Sequence, residues 1–296
     1  MIVRWVLPAA AVALLSAGCG SQRQATTTLS VVASFYPLFE FAGRVGGDRV
    51  RVRTLVPAGA EPHDFEPTPA DVAALRAADV FIYNGAGLEP WVARLRREIS
   101  PSTVTVDSSA GLALMTPHPK GGPDPHVWLD PLLARRQVQN ILAGLIRADP
   151  DGRSYYEERG TRLQADLAAL HGRFAQGLAH CQRRVFITAH AAFGYLASRY
   201  RLTMIAISGL TPDAEVPPAK MAAVAREARR HGVRVIYFET LTSPRVAEAI
   251  AREVGARTAV LDPLEGLTPE AQRQGKNYVT VMDENLRALA EGLDCR

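Results

Sequence analysis

Arg184-Val185-Phe186-Ile187-Thr188-Ala189-His190-Ala191-Ala192-Phe193-Gly194-Tyr195-Leu196-Ala197-Ser198-Arg199-Tyr200-Arg201-Leu202-Thr203-Met204-Ile205-Ala206-Ile207 reads as strand, helix and strand in one short stretch. The runs 184–188 and 203–207 are apolar, rich in β-branched residues and too short to be helices, whereas 191–199 between them has helical spacing. Two strands joined through a helix pair in parallel, because the crossover returns the second strand in the direction of the first. Toward the C-terminus the alternation predicts strands at 233–238 and 258–261, with helices near 219–230 and 244–254. Toward the N-terminus it predicts strands at 29–33, 50–56, 80–83 and 103–106, and a helix over 135–147. One N-terminal helix is signalled by Thr68 as N-cap, Pro69 at its first position and Asp71 in its first turn. After Asp149-Pro150-Asp151-Gly152, residues 154–178 keep helical spacing without proline. The fold class is therefore α/β. Two four-stranded parallel-sheet lobes, 29–152 and 182–296, carry helices on both faces and are joined by a long helix within 153–181.

The 296 residues contain 47% hydrophobic and 22% charged residues, ordinary for a folded chain of two domains. A formal net charge of +4 is too small and too scattered for a nucleic-acid binder. Residues 1–18 have a short basic start, an apolar run and small residues before Cys19, the pattern of a secretory signal. Leu15-Ser16-Ala17-Gly18-Cys19 looks like a lipoprotein box, so Cys19 is the expected lipidation site. Residues 19–28 form a polar tether, and the body is expected outside the cytoplasm, anchored to a membrane. With Cys19 lipidated, Cys181 and Cys295 remain as one possible disulfide or as two free thiols.

Three of the seven histidines lie on the carboxyl side of predicted strands. His63 follows the second strand, His190 ends the fifth, and His126 lies in the loop before the last helix of the first lobe. Asp262 holds the same kind of place after the final strand. Ligands of parallel sheets bind beyond the carboxyl ends of strands, so these four residues form a candidate metal set with two ligands from each lobe. Three neutral imidazoles and one carboxylate suit zinc, and four protein ligands leave no position for a catalytic water. His231 reads as a cation in the last turn of a helix, His171 and His180 belong to the connecting helix, and His118 lies in a loop.

Glu61-Pro62-His63-Asp64-Phe65-Glu66-Pro67-Thr68-Pro69, Asp124-Pro125-His126-Val127-Trp128-Leu129-Asp130-Pro131 and Thr188-Ala189-His190-Ala191-Ala192-Phe193-Gly194-Tyr195-Leu196 together resemble one family. It is the zinc/manganese (cluster 9) solute-binding proteins of bacterial ABC importers. Tyr83-Asn84-Gly85-Ala86-Gly87-Leu88-Glu89, Phe238-Glu239 and Asp262-Pro263-Leu264 resemble further blocks in the same order. The resemblance implies one metal ion between two lobes on a long rigid helix, held by His63, His126, His190 and Asp262. It also implies Zn2+ as cargo, because zinc members have histidine where manganese members tend to have glutamate, and that position is His190. Mn2+ is the alternative cargo. Cys181 and Cys295 match a cysteine pair of the zinc branch. Glu61 and Glu239 are reserve ligands, or, for Glu239, a hydrogen-bond partner that orients a histidine. The implied partners are the permease and ATPase of a metal ABC importer, with the receptor itself a monomer.

Two other readings compete. A secreted zinc hydrolase would use the three histidines with Glu239 or Glu61 as general base, yet no H-E-x-x-H, G-x-S-x-G, P-loop or G-x-G-x-x-G element occurs in a suitable setting. A surface adhesin would need an exposed apolar or basic patch and no metal cleft.

Overall fold

The computed structural model describes residues 1–3, 28–116, 122–212 and 215–296. Cys19 and His118 lie outside them, as do residues 4–27 of the expected signal and tether. The first half runs β1 (Leu29–Ala33), α1 (Tyr36–Gly46), β2 (Val50–Thr54), α2 (Pro69–Arg76), β3 (Val80–Tyr83), α3 (Trp91–Leu95), β4 (Val104–Asp107) and α4 (Pro131–Ala148). The long α5 (Arg153–Gly177) follows. The second half runs β5 (Val185–Thr188), α6 (Gly194–Arg199), β6 (Thr203–Ala206), α7 (Pro218–Arg230), β7 (Val235–Phe238), α8 (Arg245–Val254), β8 (Arg257–Val260), α9 (Pro269–Arg273) and α10 (Tyr278–Gly292). Each half holds a four-stranded parallel sheet, in the orders β2-β1-β3-β4 and β6-β5-β7-β8. Among the described residues, no helix is long and apolar enough to cross a membrane.

The expected strands are all present, with ends that move by a residue or two. Three helices differ more. The 191–199 segment opens as a 3-10 turn at Ala191–Phe193 before α6, and the sequence reading predicts neither α9 nor, beyond it, α10. Its signals are nonetheless in the sequence: Asn277 caps the helix through a capping box with Thr280, and Tyr278, Val281, Met282, Asn285 and Leu289 bury one stripe. Thr68 and Asp71 form the capping box that starts α2, with Pro69 at the first position.

Helix α5 binds the halves together. Its buried residues Tyr156, Gly160, Leu163, Leu167, Leu170 and Phe174 recur every three or four positions, so one stripe faces inward along the whole helix. The stripe belongs to a single apolar cluster that includes Val31 and Phe41 from the first half and Tyr237 and Met282 from the second. A core shared this way resists hinge motion, because opening the lobes would expose side chains worth about 1.5–3 kcal/mol each.

A disulfide joins Cys181, just beyond α5, to Cys295, just beyond α10, across a sequence separation of 114. It closes a loop holding the entire second sheet, so reduction is expected to cost about 2–5 kcal/mol. Urea unfolding with and without reductant measures this; equal midpoints would show that the bond is dispensable.

Candidate metal centre

Four side chains from both halves meet at one point. His63 lies in the loop after β2, His126 opens the short turn Val127–Leu129 ahead of α4, and His190 stands two residues beyond β5. Glu265 lies in the loop after β8. His126, His190 and Glu265 are fully or almost fully buried, and the His63 side chain is only 6% exposed. The His126 Nε2 lies 3.2 Å from His63 Nε2 and 3.3 Å from His190 Nε2. Glu265 Oε1 lies 3.2, 3.1 and 3.3 Å from the Nε2 atoms of His63, His126 and His190. All four ligand atoms fall within 4.8 Å of one another. A tetrahedron drawn around zinc with bonds of about 2.0–2.1 Å has edges of about 3.3–3.4 Å, close to these separations.

The fourth group is Glu265, not Asp262 as the sequence reading expects. Asp262 Oδ1 accepts from Leu264 N at 2.7 Å and Oδ2 accepts from Thr240 Oγ1 at 2.9 Å. Its main chain is gripped as well: Asp262 N donates to Asn285 Oδ1, and Asn285 Nδ2 donates to Asp262 O. Asp262 thus builds a turn in place of reaching the histidines. Leu264, buried and at a φ of 57°, completes the reversal that sends Glu265 inward. Burial first, then the nearby carboxylates, raise Asp262 to about 6 against its backbone and Thr240 hydrogen bonds.

The reserve carboxylates do not join the cluster either. Glu239 Oε1 accepts from His190 N at 3.1 Å and sits 2.6 Å from His190 Nδ1, so it orients the ring whose Nε2 faces the centre. Asp124 does the same for His126, with Oδ1 3.0 Å from its N and 2.8 Å from its Nδ1. Asp124 was missed in the sequence, although a carboxylate two residues before a candidate ligand is a usable signal. Glu61 Oε1 accepts from His63 N, while its Oε2 is buried without a partner among the described residues. Burial and then the charge of Glu265 push Glu61 up to about 8.

Burial would lower the His190 imidazolium, but Glu265 and Glu239 outweigh it and hold the ring up at about 10. His126 is raised too: burial opposes the proton, and Asp124 and Glu265 more than compensate. Glu265 is held well below the usual carboxylate range by the facing histidines, in spite of burial. A bound cation needs neutral imidazoles, so in the free protein the proton on His190 occupies the place that a cation would take. Binding therefore releases it. The sign follows: affinity rises with pH, by about tenfold per unit for that proton, until the pH reaches the His190 value of about 10. Calorimetry in buffers of different ionisation enthalpy is expected to count at least one proton released at pH 7; none would contradict this charge balance.

Among the described residues, the other histidines are elsewhere. His171 stacks on Tyr200 with Nδ1 3.1 Å from its hydroxyl, His180 is exposed, and His231 caps the C-terminus of α7.

Residues 31–292 match the family model described as the periplasmic zinc-uptake complex component A, ZnuA. The high-affinity zinc uptake system protein ZnuA of Bacillus subtilis is 38% identical, over 96% of this chain and 95% of its own. The zinc-binding lipoprotein AdcA of Streptococcus pneumoniae is 37% identical over 98% of this chain, which spans 60% of the length of that relative. The Zn(II)-bound ZnuA-like domain of Streptococcus pneumoniae AdcA superposes with a TM-score of 0.81 at 38% identity, over 90% of this chain and 99% of that one.

Proposed function

The chain belongs to the family of periplasmic zinc-uptake components, and on that premise we propose that it is an extracytoplasmic receptor that captures one Zn2+ between its lobes. The observation that carries this reading is the convergence of His63, His126, His190 and Glu265 from both sheets, with every ligand-atom pair but His63–His190 at 3.1–3.3 Å and that pair within 4.8 Å. Three nitrogens and one oxygen in a tight cluster favour zinc over manganese, which suits oxygen-rich octahedral sites. Four protein ligands leave no open position for a substrate or an activated water, so the site captures and does not catalyse. The shared core along α5 favours a preformed site over one assembled by lobe closure. The receptor hands its cargo to the permease and ATPase of an ABC importer and is held at the membrane by a lipid on Cys19.

Competition calorimetry with zinc and manganese on chelator-stripped protein tests the cargo. One zinc per chain, bound more tightly than manganese, is expected; tighter manganese binding would reverse the assignment. Mass spectrometry of the mature N-terminus is expected to find acylated Cys19, and a free thiol there would remove the anchor.

A further inference from the structure

The tripeptide Asp124-Pro125-His126 is held from both lobes, and the grip from the second lobe comes from the helix that follows His190. Asn84, at the end of β3, donates through Nδ2 to Pro125 O at 2.9 Å. Tyr195, on α6, donates its hydroxyl to Asp124 O at 2.8 Å and accepts from Met115 N at 2.9 Å. Asp124 N in turn donates to Met115 O at 2.7 Å. One tyrosine hydroxyl thus ties two strands of chain, 115 and 124, to the second lobe. Contact is close here, since a Cβ on Gly194 would stand 2.8 Å from Asp124 Oδ2. Tyr195 is 4% exposed and five residues from His190, while Asp124 carries the oxygen that fixes the His126 ring.

We propose that Tyr195 is a positioning residue for the metal centre: its hydroxyl, acting through Asp124, locks the first-lobe ligand His126 against the second-lobe ligand His190. This rests on the zinc-receptor reading. Fixing the His126–His190 edge at 3.3 Å keeps the centre four-coordinate and slows escape of the ion. Without the hydroxyl, Asp124 O and Met115 N lose a shared partner, and the His126 arm gains freedom that a buried hydrogen bond had removed.

The test compares Tyr195→Phe with Tyr237→Phe in the full chain. Tyr237 is an equally buried tyrosine whose hydroxyl donates to Ala288 O at 2.8 Å, away from the cluster. Tyr195→Phe is expected to speed zinc dissociation into a chromogenic chelator about tenfold, the worth of one buried hydrogen bond. It is also expected to weaken the visible ligand-field bands of the Co2+-loaded protein, as a tetrahedral sphere opens. Tyr237→Phe should lower thermal stability comparably and change neither readout. Parental rates and bands in Tyr195→Phe, or equal effects in Tyr237→Phe, would overturn the clamp and leave the receptor standing. A parent chain that binds neither Zn2+ nor Co2+ would overturn both.

Discussion

Replacing His126 by alanine is expected to lower zinc affinity by at least about a thousandfold. The orienting partners of metal-bound histidines are themselves worth about 10- to 100-fold, and a ligand must exceed its orienter. His126 is also central, since its Nε2 lies within 3.3 Å of both other imidazole nitrogens and of Glu265 Oε1. The loss has a direct thermodynamic reading. At a zinc concentration about a thousand times the parent's Kd, ligand binding stabilises the parent by about 4 kcal/mol. For a thousandfold weaker variant, the same zinc contributes less than about 0.5 kcal/mol. Melting curves with and without zinc should therefore shift strongly for the parent and barely for His126→Ala. Equal shifts would mean that zinc binds elsewhere.

The second large effect separates two neighbouring carboxylates. Glu265→Gln removes the one negative charge in direct contact with the three histidines and is expected to weaken zinc binding by about a hundredfold or more. Asp262→Asn keeps an oxygen able to accept from Leu264 N, so the turn survives and the loss should stay within about tenfold. Calorimetric titration of both variants reads the difference. If Asp262→Asn proved the costlier change, Asp262 would belong in the coordination sphere and the turn would have to rearrange on loading.

That pair also marks where sequence reasoning stopped. The three histidines were legible because each follows a strand of a repeated βα pattern, and parallel sheets place such positions on one side. Strand-end position led equally to Asp262, the first carboxylate after β8. What decides between Asp262 and Glu265 is a local reversal: an aspartate turning back on Leu264 N, a left-handed φ at Leu264, and Asn285 of α10 holding the loop. None of these has a periodic signature. Because α10 itself was not anticipated, Asn285 could not have been suspected as the residue that aims the loop. The apolar stripe of α5 was legible as a long helix without proline, but not the depth of its sharing between lobes, which depends on how the two halves pack.

The same comparison explains the histidines that take no part. His171 is half-buried at the edge of the inward stripe of α5, where its ring stacks on the buried Tyr200. His231 closes α7 with its Nε2 3.4 Å from Glu227 Oε2, a contact of modest worth at a partly exposed position. Neither residue stands near a strand's carboxyl end, the feature that set the other three apart.

Anomalous diffraction at the zinc edge from crystals of the zinc-loaded protein tests the central claim most directly. One zinc peak per chain is expected, bonded to the Nε2 atoms of His63, His126 and His190 and to a carboxylate oxygen of Glu265. A peak outside this cluster, or an ion ligated by Asp262 with Glu265 turned away, would contradict it.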